Sequence, residues 1–207
     1  MVRPPSSGYR SVPTKSVYFL VVPGFADWEA AHALAEVRRH GHYEIKVVGL
    51  NQLPVQSMGG LTVQPTCALT DVDPEDVALF MLPGGDRWEQ QPPERELLDL
   101  LVTLDAGTVP IAAICAATTV VARAGLLHGR RHTSNGLDYL KRHVPAYAEG
   151  AAYVDTPAVR DRGLITASGL ADVEFAQEVM AELGVLSQAD RAYWAQLFRG
   201  GRLASGV

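Results

Sequence analysis

The chain has 207 residues, 47% apolar and 20% charged, an ordinary globular balance with length enough for one large core. Its net charge of −5 argues against nucleic acid or acidic membrane surfaces, which favour basic patches. The longest apolar run, Val17–Val22, is too short to cross a bilayer, and two cysteines make no disulfide framework. A reducing, cytoplasmic setting is therefore expected.

Residues 1–15 carry Pro, Ser and scattered positive charge without an apolar stretch, and read as a flexible leader rather than a signal peptide. Val17–Val22 then begins a series of short β-branched runs, each closed by Gly, Pro or a sharp turn. The others are Tyr43–Gly49, Val77–Leu82 and Val109–Ile114. Their near-continuous hydrophobicity is that of parallel strands covered on both faces. Between them, helical patterns over Trp28–His40, Pro93–Ala106 and Ala116–Ala124 each stop at a glycine. Val55–Met58 and Leu61–Val63 flank Gly59-Gly60 as a hairpin. Beyond Cys115 the pattern predicts a short strand at Arg131–Thr133 and a helix over Gly136–His143. A second hairpin follows, with Val159 and Leu164–Ala167 about Asp161-Arg162-Gly163, then helices near Asp172–Leu183 and Asp190–Phe198. No repeat or linker divides residues 16–199, and residues 200–207 form a tail. Strands alternating with helices imply a single α/β domain, a doubly wound sandwich on a mainly parallel sheet.

In such a sheet, chemistry gathers at the carboxyl ends of the strands. Three segments stand there: Pro23 to Glu29, Pro83-Gly84-Gly85-Asp86, and Ala113-Ile114-Cys115-Ala116-Ala117. A nucleophile elbow needs small residues two before and two after the nucleophile, and Ala113 and Ala117 supply them around Cys115. A helix starting at Ala116 would aim its free N–H groups at the sulfur, so a lowered thiol pKa is expected. The competing reading is a buried cysteine that packs as a small hydrophobe. Gly84-Gly85 permits close backbone approach, and beside Cys115 its N–H groups would suit an oxyanion. Glu29 lies just past a strand end, with Asp27 a rival for the same role. Against a thiolate, a Glu29 carboxyl would be pushed toward its protonated form, able to donate to the sulfur or to shuttle a proton.

Cys67 has neither elbow spacing nor a helix start of its own and reads as structural. The six histidines form no pattern that resembles a zinc site, and no Walker A or Gly-x-Gly-x-x-Gly sequence occurs. No metal, nucleotide or other cofactor is expected.

Together these residues resemble the DJ-1/ThiJ/PfpI superfamily, over about residues 16–186. The resemblance rests on Gly24 through Glu29, Leu82-Pro83-Gly84-Gly85, Ala112-Ala113-Ile114-Cys115-Ala116, and Gly163 to Gly169 leading into Glu174-Phe175-Ala176. It implies a flavodoxin-like sandwich, usually a homodimer, with Cys115 as the reactive cysteine and Glu29 as its carboxyl partner. It also implies an oxyanion hole from the backbone at Gly85 and Ala116. Two departures stand out. Members that resemble intracellular peptidases place His directly after the cysteine, where this chain has Ala116. Members with glyoxalase or deglycase activity carry a histidine about twenty residues later, where this chain has Asn135. Asn cannot take up a proton, and His132, three residues earlier, is a poor substitute. The leading expectation is a redox-responsive stress protein with a small-molecule or oxidant ligand at Cys115 and little or no peptidase activity. A cysteine hydrolase or glyoxalase/deglycase-type enzyme is the alternative, and a non-catalytic binding scaffold the third. A class I glutamine amidotransferase is disfavoured, because no His-x-Glu pair follows Cys115.

Overall fold

Hydrophobic strands need cover on both faces, and the computed structural model, which describes residues 15–200, supplies it. Residues 1–14 of the expected leader and 201–207 of the expected tail lie outside the described residues. In chain order the strands are β1 (Ser16–Val21), β2 (Ile45–Gly49), β3 (Val55–Gln56), β4 (Thr62–Val63), β5 (Cys67–Ala68), β6 (Val77–Leu82), β7 (Ile111–Ile114), β8 (Ala158–Asp161) and β9 (Leu164–Ala167). The helices are α1 (Ala31–Arg39), α2 (Arg87–Gln90), α3 (Arg95–Ala106), α4 (Thr118–Arg123), α5 (Leu137–His143), α6 (Asp172–Glu182) and α7 (Gln188–Gly200).

Seven strands form one sheet in the order β5-β2-β1-β6-β7-β9-β8. Every neighbouring pair is parallel except β8 with β9. With the two edge strands set aside, the order reads second, first, third, fourth, fifth, which is the flavodoxin-like winding. Helices cover both sides. Residues of β1 and β7 are buried without exception, as their unbroken apolar runs require. α3 seats Leu97, Leu101 and Leu104 in the core, a spacing that puts them on one helical face. Each such burial contributes roughly 1.5–3 kcal/mol. α7 closes the domain with Trp194, whose ring meets His32 of α1 edge-on. Among the described residues, no helix is long and apolar enough to cross a membrane.

Local departures from the expected elements have physical causes. Arg131–Thr133 is no strand: only an isolated parallel bridge joins His132 to Tyr153. β5 was not expected, because Pro65 and two polar residues precede a pairing only two residues long. The helix after Cys115 begins as a 3₁₀ turn over Cys115–Ala117, and the α-helix that follows has six residues. α1 begins at Ala31, so Glu29 lies in the turn before it.

Candidate functional site

The winding reverses between β1 and β6, and their carboxyl ends open the crevice where open α/β sheets bind ligands. After β1 the chain turns through Gly24, at φ 74, and Phe25 pairs with Gly85 in an isolated antiparallel bridge. That bridge clamps the turn carrying Glu29 onto the glycine pair after β6. β7 ends one strand further along, and Cys115 follows its last residue.

Cys115 has φ 59, the left-handed conformation that costs an L-residue roughly 1–2 kcal/mol. This is the backbone of a nucleophile elbow. Ala113 and Ala117 are fully buried on either side, the small residues that the close passage of strand and turn calls for. The Thr118 hydroxyl donates to the Cys115 carbonyl at 2.6 Å, and its oxygen lies 2.7 Å from Ser134 Oγ.

Glu29 is 1% exposed, and its Oε2 accepts the Gly84 N–H at 2.5 Å. Its carboxyl also shares a hydrogen bond with Cys115. Burial pushes this carboxyl up to about 7, against the opposing pull of the Gly84 and Cys115 hydrogen bonds. Asp27 is drawn elsewhere: Ser57 Oγ donates to its Oδ1 and the Gly59 N–H to its Oδ2 at 2.6 Å. Of the two candidate carboxyls, Glu29 alone meets the sulfur, while Asp27 ties down the β3–β4 hairpin.

Two glycines wall the pair. A Cβ on Gly84 would stand 2.7 Å from both Cys115 Cβ and Glu29 Oε2. A Cβ on Gly169, after β9, would stand 2.6 Å from Cys115 Sγ. Asn135 reaches the sulfur from the far side, with Nδ2 3.3 Å from Sγ, and its Oδ1 accepts the Gly169 N–H at 2.9 Å. The Ala116 N–H also bonds the sulfur. Gly85 is buried directly after Gly84, beneath the Gly24–Phe25 turn. At the rim stand Trp28, whose Nε1 donates to the Gly169 carbonyl at 3.5 Å, and Tyr139, whose hydroxyl donates to Glu89 at 2.8 Å.

The lowered thiol pKa expected from a helix start does not survive this geometry. Burial first, and then the Glu29 charge, pushes the Cys115 thiol up to about 12, while the Asn135 and Ala116 donors pull it down. A 3₁₀ turn and a six-residue helix offer too little aligned backbone to offset that burial.

His132 is not brought to the sulfur. Its Nδ1 donates to the Arg130 carbonyl at 2.8 Å, which fixes the tautomer, and its Nε2 accepts from the Tyr147 hydroxyl at 2.6 Å. The ring is fully buried between Tyr147 and Tyr153, and burial holds it below its usual pKa. Among the described residues, no three His, Cys, Asp or Glu side chains gather as a metal ion would need.

A model of the DJ-1/PfpI family matches residues 15–182. The chain belongs to the DJ-1/PfpI family. It is 35% identical over 191 residues to a protein of Bacillus subtilis named uncharacterized protease YoaZ, covering 89% of this chain and 90% of that one. The DJ-1 superfamily protein Atu0886 from Agrobacterium tumefaciens superposes with a TM-score of 0.83 at 34% identity, over 90% of this chain and 98% of the other. Drosophila melanogaster protein dj-1beta is 32% identical over 82% of this chain and 90% of its own. More distant DJ-1/PfpI relatives are named deglycase, in Thermococcus kodakarensis, and isonitrile hydratase, in Pseudomonas putida, each 29% identical over 57% and 68% of this chain and 70% and 59% of their own.

Reasoning from the sequence gave Gly169 no role at the sulfur, although it stands at a strand's carboxyl end as Gly84 does. It passed over Tyr139 and Glu89 altogether. Their meeting joins α5 to α2 across 50 residues, and neither sits in a motif.

Proposed function

We propose that this DJ-1/PfpI chain is a redox-responsive stress protein that takes up oxidant at Cys115. The observation that carries the reading is a buried carboxyl, Glu29, hydrogen-bonded to an elbow cysteine that no histidine approaches. With its pKa near 7, Glu29 suits a general base at neutral pH. It accepts the thiol proton as the sulfur attacks, so the pair carries one negative charge throughout and never two. The thiolate attacks one oxygen of a peroxide, the O–O bond breaks, and the departing hydroxide takes the proton from Glu29 and leaves as water. The product is a sulfenic acid, and a second peroxide gives a sulfinic acid and a second water. The sulfinic acid gives its proton to the Glu29 carboxylate, which then donates it back as a hydrogen bond to the charged sulfinate. The Ala116 N–H, already bonded to the sulfur, and the Gly85 N–H are the proposed oxyanion donors. The two unpaired cysteines fit a reducing, cytoplasmic setting, and the family resemblance favours a homodimer as the working unit.

Peptidase activity is weak or absent in this reading, since Ala116 offers no base and His132 is engaged with Tyr147. The names deglycase and isonitrile hydratase among the relatives favour a second reading, in which Cys115 attacks a small carbonyl or related electrophile with Glu29 as base.

Mild peroxide followed by intact mass and peptide mapping separates these readings. Two oxygens are expected on Cys115 before any on Cys67. Equal modification of both cysteines would sink the redox assignment. Sustained turnover of a dicarbonyl, abolished in Cys115→Ala, would favour the enzyme.

A further inference from the structure

Asn135 is the one exposed member of the constellation at the sulfur, and its orientation is settled by its neighbours. The Gly169 N–H can only donate, so the atom that receives it at 2.9 Å must be the carboxamide oxygen. The NH₂ group is thereby turned to Sγ, 3.3 Å away, and cannot flip without breaking the Gly169 bond. Asn135 also acts on the nearby Tyr139 hydroxyl and lowers its pKa. That hydroxyl is itself fixed by donation to Glu89. The carboxamide nitrogen thus faces the sulfur and its oxygen accepts from backbone.

We infer that Asn135 is the residue that holds negative charge on the Cys115 sulfur: an amide donor whose orientation is locked by Gly169, standing where a proton acceptor would otherwise stand. The site so built favours reactions in which the sulfur carries charge, and leaves proton removal to Glu29 alone. The other ionisable groups that face the sulfur or its partners are Glu29 from the turn after β1, Tyr139 from α5, and Glu89 from α2 behind Tyr139. Asp172 at the start of α6 acts on Glu29 and raises its pKa. None of these supplies a permanent donor, and of the side chains at the sulfur only Asn135 does.

This inference rests on the reading of Cys115 as a reactive thiol, but not on its natural reagent. The test is the second-order rate of Cys115 alkylation by iodoacetamide at neutral pH, in the full chain with Cys67→Ser. Asn135→Ala removes the donor and should slow alkylation roughly tenfold, about one pKa unit of thiolate stabilisation. It does so although trimming an exposed side chain opens access to the sulfur. Asn135→Asp keeps an oxygen for the Gly169 N–H but replaces the donor with a like charge, and should slow alkylation further than Ala. A mere brace for the Gly169 loop predicts the reverse order, with Asp nearer to wild type than Ala, and that order overturns the proposal. So does an unchanged rate in both. Should the variants fail to fold, the Asn135 side-chain amide signals of the wild type and of Cys115→Ala provide the comparison. One amide proton is expected to move when the sulfur is removed, and its failure to move overturns the assignment. If alkylation follows the expected order while peroxide adds no oxygen, the redox reading fails and this inference stands.

Discussion

Cys115 and Cys67 sit in one protein, both half-buried and both unpaired, yet their surroundings share almost nothing. Cys67 lies on a two-residue edge strand, its sulfur 4.0 Å from the Val47 carbonyl, and burial raises its pKa. Cys115 ends an interior strand in a strained turn, and burial raises its pKa too. Resting acidity therefore does not set the two thiols apart. In the proposed reading what sets them apart is a neighbour able to take the proton: Glu29 touches one sulfur, and among the described residues no carboxylate is bonded to the other. On that proposal, reactivity is a property of a pair rather than of a thiol.

Glu29→Gln breaks that comparison most completely. Loss of a general base is worth about 10²–10⁴ in rate, so alkylation or oxidation of Cys115 should fall toward the rate of Cys67. In the wild type the rate should climb as the pH passes about 7, where Glu29 gives up its proton, and the variant should show no such step. Stability should run the other way. The folded pKa of Glu29 lies above its ordinary value of 4.5, so its contribution is intact below pH 4.5 and lost as the pH rises through about 7. The loss is on the order of 3 kcal/mol. Glu29→Gln should thus melt above the wild type near pH 8, and alongside it near pH 4.5. A variant no more stable at the higher pH would show that the carboxylate is better solvated than its burial implies.

Gly169→Ala is a gentler perturbation that leaves every polar group in place. Its methyl group would crowd Sγ at 2.6 Å, so the loop or the sulfur must yield. Overpacking of this kind costs about 1–3 kcal/mol, and a tenfold drop in alkylation corresponds to about 1.4 kcal/mol. A drop of that size at Cys115, with Cys67 unaffected, would sharpen the contrast, whereas an unchanged rate would mean the wall is softer than drawn. Asp27→Asn should do least. It weakens the tie to Ser57 and Gly59 by about 0.5–1.5 kcal/mol and lowers the melting temperature slightly, without altering alkylation at either cysteine. A clear rate change would transfer the carboxyl role two residues along the turn.

Much of this architecture was legible in the sequence because it is local. Apolar β-branched runs marked β1, β2, β6 and β7, and the Ala-x-Cys-x-Ala spacing marked the elbow. Asp27 and Glu29 could be separated only by the family resemblance, since what occupies Asp27 is a hairpin thirty residues away. The thiol pKa was misjudged because a helix start is visible in a sequence, whereas the depth of burial at its mouth is not. His132 read as a weak substitute base, and its attachment to Tyr147 could not be seen from a spacing of fifteen residues. The bridge at His132 took the place of a strand because Arg131–Thr133 has one partner residue, Tyr153, and no neighbouring run to pair with.

On the Gly84 and Gly169 sides main chain rather than side chain closes on Cys115, so those walls of the slot cannot be cut back by trimming a side chain. Any change in the clientele of Cys115 has to be written on the outer ring. There Trp28 is half-exposed, Leu170 stands almost wholly in solvent, and Tyr139 donates to Glu89. An engineer who seeks new reagents for this cysteine would leave the slot alone and redraft that ring.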